Sequence, residues 1–222
     1  MLAAAPAAAH DGDMRKLLPP LVAGVSGIVV SLAVCAASAP VEEAPPAVVT
    51  TPVYAGDKLV YPADYRQWIY LTTGFDMSYT FSLAKMGHHM MDNVFVNPQA
   101  WAAFQKTGTW PDKTIIVIEP RGVMDKGSIN KEGHYQSQDV MGLEVHVKDE
   151  ARFPGGKWAF FTFDDPARPS TMIPTDTDCY TCHAKHGAVD NTFVQFYPTL
   201  MPIASAKGTL SQAYVDEEKA KK

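Results

Sequence analysis

The pentapeptide Cys179-Tyr180-Thr181-Cys182-His183 constrains this chain more than any other feature. Two thiols three positions apart, with an imidazole directly after the second, lie on about one helical turn. Both sulfurs then run along one edge and the histidine projects beside them. The only other cysteine is Cys35, far towards the N-terminus, so no disulfide framework can hold the fold. In an exported chain, C-x-x-C-H is the attachment signature of a c-type haem: two thioethers from Cys179 and Cys182, with His183 as axial iron ligand. Other uses of paired cysteines fit less well. A zinc ribbon needs a second ligand pair, and His88, His89, His134, His146 and His186 bring no second C-x-x-C. A thioredoxin-like dithiol belongs in a βαβ unit, which the sequence does not show, and a disulfide across two residues is strained. One motif implies one haem c.

Export is readable from the other end. Arg15 and Lys16 precede an uncharged run from Leu17 to Ala39 that closes on Ala36-Ala37-Ser38-Ala39. A basic start, an apolar middle and a small-residue end describe a secretory signal peptide. Residues 1–39 are expected to be removed, with translation starting at Met14, because the acidic, Ala-rich stretch before it is a poor basic region. Leu32-Ala33-Val34-Cys35 resembles a lipidation box but places a bulky Val before the cysteine. The run also approaches the roughly 20 residues that span a bilayer; Pro19-Pro20 and the Ala/Ser-rich end favour cleavage over anchoring. The expected location is the periplasm.

Composition narrows the partners. Of 222 residues, 46% are hydrophobic and 19% charged, enough for a buried core. The formal charge is -5, and residues 1–39 carry two acids and two bases, so their removal leaves it at -5. No run of Lys or Arg exceeds a pair, which argues against a nucleic-acid partner. Residues 40–56, rich in proline, read as a linker; 57–205 read as one domain and 206–222 as a polar tail, with Asp216 to Lys222 a solvated end.

Within the domain the expected class is α+β, a mainly antiparallel sheet with a few flanking helices. Pro62 opens a pattern that predicts a helix, with Tyr65, Trp68, Ile69 and Thr72 on one face and Gly74 beyond its end. Asn93 to Val96 alternates as a strand. Asn97-Pro98 predicts the start of a helix with Trp101 and Phe104 inward and Gly108 as its stop. Thr114 to Ile118, Val140 to Val147 and Lys157 to Phe163 are strand-like. The polar stretch 125–139 reads as a long loop that borders a site.

Several segments together resemble the cytochrome P-460 family: YPADYRQWIYLTTG, DNVFVNPQAWAAFQKTGTWPDKTIIVIE, the stretch containing GLEVHVKD and GKWAFFTF, and CYTCHAKHGAVDNTFVQFYPTL. The resemblance runs from Tyr61 to Pro202, about two-thirds of the chain. It implies a periplasmic, mostly β, commonly homodimeric protein with a five-coordinate haem c near the C-terminal part. The family has two functional kinds. One oxidises hydroxylamine and carries a lysine bonded to the haem; the other, the cytochromes c-prime-beta, binds nitric oxide at a crowded apolar distal face.

The resemblance places the cross-linking position at Ile118, which has no nucleophilic atom. Lys113, five residues earlier, falls on the opposite face by strand period, and Lys126 and Lys131 lie in the following loop. Glu144 falls where the family's oxidases place a distal carboxylate, which in an apolar cavity has a raised pKa and accepts protons. Gly142, Glu144 and His146 share one strand face. The expected ligand is thus a small diatomic or nitrogen oxide such as nitric oxide. The alternatives are oxidation of hydroxylamine or peroxide, with a periplasmic electron carrier taking the electrons, and simple electron transfer. Met77, His88, His89, Met90 and Met91 are candidate sixth ligands. Arg66, Arg121 and Arg152 are candidate propionate partners. Phe193, Phe196 and Tyr197 are expected to pack beside the haem, and His186 to be a surface residue.

Overall fold

Branched and aromatic residues in largely period-two runs build most of the six strands of one antiparallel sheet. The computed structural model describes residues 50–78, 89–155 and 157–221, all within one compact unit, Pro46–Lys222. A short hairpin, β1 (Tyr54–Ala55) and β2 (Lys58–Leu59), comes first. The sheet follows: β3 (Ile69–Phe75), β4 (Met90–Val96), β5 (Ile115–Met124), β6 (Tyr135–Val140), β7 (Leu143–Lys148) and β8 (Trp158–Phe163). Helix α1 (Pro98–Thr107) joins β4 to β5, and α2 (Asp178–His186), α3 (Met201–Lys207) and α4 (Gln212–Ala220) follow the sheet. The strand order is β3-β4-β5-β7-β8. Strand β5 serves two partners: Ile115 to Ile118 pair with β7, and Arg121 to Met124 pair with β6.

Both faces of the sheet are covered. Val94, Val96, Ile116 and Phe160 point into a core with Phe104, Trp110, Val189, Val194 and Leu200. Ile115, Val117, Val145, Val147 and Phe161 point the other way, onto Leu59, Tyr65 and Trp68. On that second face Glu119, only 3% exposed, accepts hydrogen bonds from Tyr65, Arg66 and Arg121. Burial pushes its pKa up, but the bonds from Arg121, Tyr65 and Arg66 outweigh it and hold the carboxyl below its usual value.

Four expectations need correction. The helix expected after Pro62 is a single 3-10 turn, Tyr65–Gln67, followed by β3; pairing of Ile69 with Val96 and Phe75 with Met91 outweighs the helical spacing. The last third of the polar stretch 125–139 is strand β6, which extends β5 into a ribbon. Its polar side chains satisfy a two-stranded, solvent-exposed extension rather than a loop. The terminal residues form α4, begun by Ser211, whose side chain accepts from the Tyr214 amide, and tied to α2 by His186 and Glu217 at 2.6 Å. The end of the proline-rich linker is strand β1. Helix α1 is as expected, including Gly108 at φ 76°. Asn97 holds the N-cap position without capping: its amide donates to the carbonyls of Thr50 and Lys113, and its oxygen accepts from the Ile115 amide. The expected signal peptide and most of the expected linker lie outside the described residues. Among the described residues no helix is long and apolar enough to cross a membrane.

Candidate haem site

Helix α2 is docked by its one tyrosine. The Tyr180 ring stacks on Phe160 of β8 with centroids 4.4 Å apart. Its hydroxyl donates to the Ile173 carbonyl at 3.1 Å and accepts from the Phe160 amide at 3.2 Å. This fixes the helix's rotation. Cys179 is left exposed and Cys182 half-buried, both as free thiols, and His183 is carried against the sheet. Burial, then the neighbouring Cys179, pushes the Cys182 thiol up, the opposite of the acidic thiol of a dithiol oxidoreductase.

His183 is held on several sides. Its ring lies 4.5 Å from Phe160, 4.3 Å from Phe193 and 4.9 Å, edge-on, from His146. Its Nδ1 is 2.8 Å from the Asn191 carbonyl. A carbonyl can only accept, so Nδ1 carries the proton and Nε2 keeps its lone pair. Burial lowers the pKa of His183 and keeps it neutral, the Asn191 bond opposing the shift without cancelling it. A neutral imidazole with one nitrogen committed to a carbonyl is the form that ligates a metal.

The sheet face under α2 carries the other candidates. In register, Val94 of β4 opposes Ile118 of β5, and Ile118 opposes Glu144 of β7. His146, two residues along β7, opposes Ile116 and Phe160. Glu144, Ile118 and the His146 ring against His183 thus share one surface. Glu144 reaches solvent, yet the protein around it raises its pKa by desolvation. His146 is 9% exposed and burial, then His183, holds it well below the usual histidine range. The two imidazoles pack edge-on against each other.

The family model for cytochrome P460 matches residues 62–194. The chain belongs to the cytochrome P460 family. Comparison with curated proteins gives no match. The resident cofactor of a cytochrome P460 is a haem, and this chain's residues fit one. Accessible thiols one turn apart suit thioether attachment, and His183 offers a free Nε2 fixed by its Nδ1 bond.

Of the other sequence candidates, Met90 shares the site's sheet face and most of the rest lie elsewhere. His89 lies at the start of β4 with Nδ1 2.5 Å from Asp76, beside Phe75 and His134. Met91 pairs with Phe75 and Arg121, Met90 shares Asp92's face, and Met77 is 40% exposed. His88 lies outside the described residues. Arg66 and Arg121 are bound to Glu119 on the far face, and Arg152 donates to the Gly56 carbonyl over the Tyr54 ring. Phe196 is 43% exposed, whereas Tyr197 is in the core. Lys113 pairs with Asp149, and Lys126 and Lys131 lie between β5 and β6.

The sequence reading missed Asp92. It stands two residues before Val94 on the same face, and burial, then Glu144 and Asp76, push its pKa up to about 6. Beginning the strand at Asn93 rather than Met90 hid it. Lys148, Asp190 and Asn191 were missed too; the Asp-Asn pair signals a turn at 190–191, but nothing in the sequence ties that turn to Lys148.

Proposed function

We propose that this cytochrome P460 is an exported monohaem c-type protein, attached through Cys179 and Cys182, ligated by His183, and open on the opposite side to nitric oxide. The observation that carries this reading is the Val94–Ile118–Glu144 register on the sheet face against which α2 packs His183 and Tyr180. The position of the family's cross-linking lysine holds the sec-butyl side chain of Ile118 between a valine and a carboxyl. Apolar surroundings favour a small uncharged ligand and exclude water. The bound haem supplies the iron that takes the ligand; the chain orients His183, excludes solvent with Phe160 and Phe193, and shapes the ligand pocket with Ile118. A periplasmic location and a homodimer belong to the same reading. Titrating the ferrous holoprotein with nitric oxide tests it: saturable one-to-one binding is expected, and absence of a spectral change contradicts it.

A second reading is favoured by Asp92 and Glu144, whose carboxyls are both raised on this face. A carboxylate whose pKa is raised is a better proton acceptor, as hydroxylamine oxidation requires, with a periplasmic carrier removing the electrons. Turnover of hydroxylamine with an artificial acceptor that falls at least tenfold in Glu144→Gln supports it, and no turnover in the wild type rejects it.

A further inference from the structure

Lys148 is the last residue of β7, and its ammonium is buried, the residue being 6% exposed. It donates to the Trp110 carbonyl at 2.7 Å and to the Asp190 carboxylate at 2.5 Å. A buried ammonium is held only where its partners stay in place, since breaking such a pair leaves an uncompensated buried charge at a large cost. Asp190 cannot leave without exposing that cost.

Asp190 and the next residue, Asn191, both adopt left-handed backbone, φ 47° and 57°. They form the centre of a tight turn closed by Val189 and Thr192, whose amides and carbonyls bond reciprocally. Two successive positive φ values are the geometry of a type I′ turn, which Asp and Asn tolerate. Trp110 grips the same turn through its indole N–H, which donates to the Thr192 hydroxyl at 2.8 Å. The carbonyl that this turn presents is that of Asn191, and it accepts the Nδ1 proton of His183.

We infer that Lys148 is a positioning residue for the proximal histidine: through Asp190 it locks the Asn191 carbonyl on His183 Nδ1 and so sets how strongly His183 donates to the iron. The inference rests on His183 being the iron ligand. A firm hydrogen bond at Nδ1 gives the imidazole partial imidazolate character and raises ligand basicity. A loosened one weakens the ligand, lowers the iron–histidine stretching frequency and eases loss of the histidine when nitric oxide binds opposite. Strand β7 then touches the site three times along one face, with Glu144, the His146 ring and, through the turn, Lys148.

The test uses ferrous holoprotein of the wild type, Lys148→Met, Asp190→Asn and Lys113→Met. Asp190→Asn keeps a residue tolerant of left-handed backbone and removes only the charge, so it carries the test if Lys148→Met fails to fold. Lys113→Met breaks another ion pair, with Asp149 next to Lys148 in sequence but not tied to the turn. The iron–histidine Raman band is expected to fall, and the fraction of histidine lost to nitric oxide to rise about tenfold, the effect of one net hydrogen bond, in Lys148→Met and Asp190→Asn. Lys113→Met should match the wild type, and Lys148→Arg should restore the band. A fully haem-loaded Lys148→Met or Asp190→Asn with the wild-type band and wild-type histidine retention overturns the inference. A wild type lacking any iron–histidine band instead overturns the assignment of His183, and the inference falls with it.

Discussion

At the scale of single residues, Asp92 ionises against its surroundings. Burial, then the nearby carboxylates of Glu144 and Asp76, move its pKa up to about 6. The folded chain therefore binds this proton more readily than the unfolded one, where an aspartate titrates near 4. Stability from the protonated form is complete below that unfolded value and is lost as pH rises through about 6. Asp92→Asn removes the charge and keeps the shape. It is expected to be more stable than the wild type by about 1 kcal/mol near pH 7, less than the full shift implies because the side chain is partly solvated, and equal to it near pH 4. Urea unfolding at the two pH values checks this. A variant less stable at neutral pH contradicts the burial argument.

At the scale of elements, the join between α2 and the turn that follows is a backbone-to-backbone contact. A Cβ at Gly187 would stand 2.6 Å from the His183 carbonyl oxygen and 2.8 Å from the backbone of Asn191 and Thr192. Neither neighbour is a flexible side chain, so Gly187→Ala must push the turn from the helix. The expected cost is about 1–3 kcal/mol, with a weaker bond from His183 to Asn191, measured by thermal unfolding together with the iron–histidine band. The elements also show where sequence patterns succeed. Helix α1 was readable because Pro98, Gly108 and the inward Phe104 agree. Strand β3 was misread because its apolar residues fit both periods over so short a run, and pairing with β4 decides. Cys179, Cys182 and His183 were legible from spacing alone. Lys148 and Asp190, 42 positions apart, were not, since neither spacing nor pattern links them before β7 and the turn are brought together.

At the scale of the whole molecule, the sheet divides two cores, and only one of them faces α2. Adjacent phenylalanines on β8 sample both: Phe160 contacts His183, while Phe161 is buried on the opposite face. Truncating either to alanine is expected to cost about 3–5 kcal/mol. Phe160→Ala should also alter the haem spectrum, and Phe161→Ala should leave it unchanged. Equal spectral effects from both would contradict the assignment of one face to the site.

In the proposed function His183 ligates one covalently held haem whose other side is open. The absorption spectrum of the purified holoprotein, ferric and ferrous, with and without nitric oxide, reports ligation and access together. The expected result is a haem that survives acid-acetone extraction, gives a five-coordinate resting spectrum and shifts on adding nitric oxide. A six-coordinate, low-spin spectrum that nitric oxide leaves unchanged would contradict it.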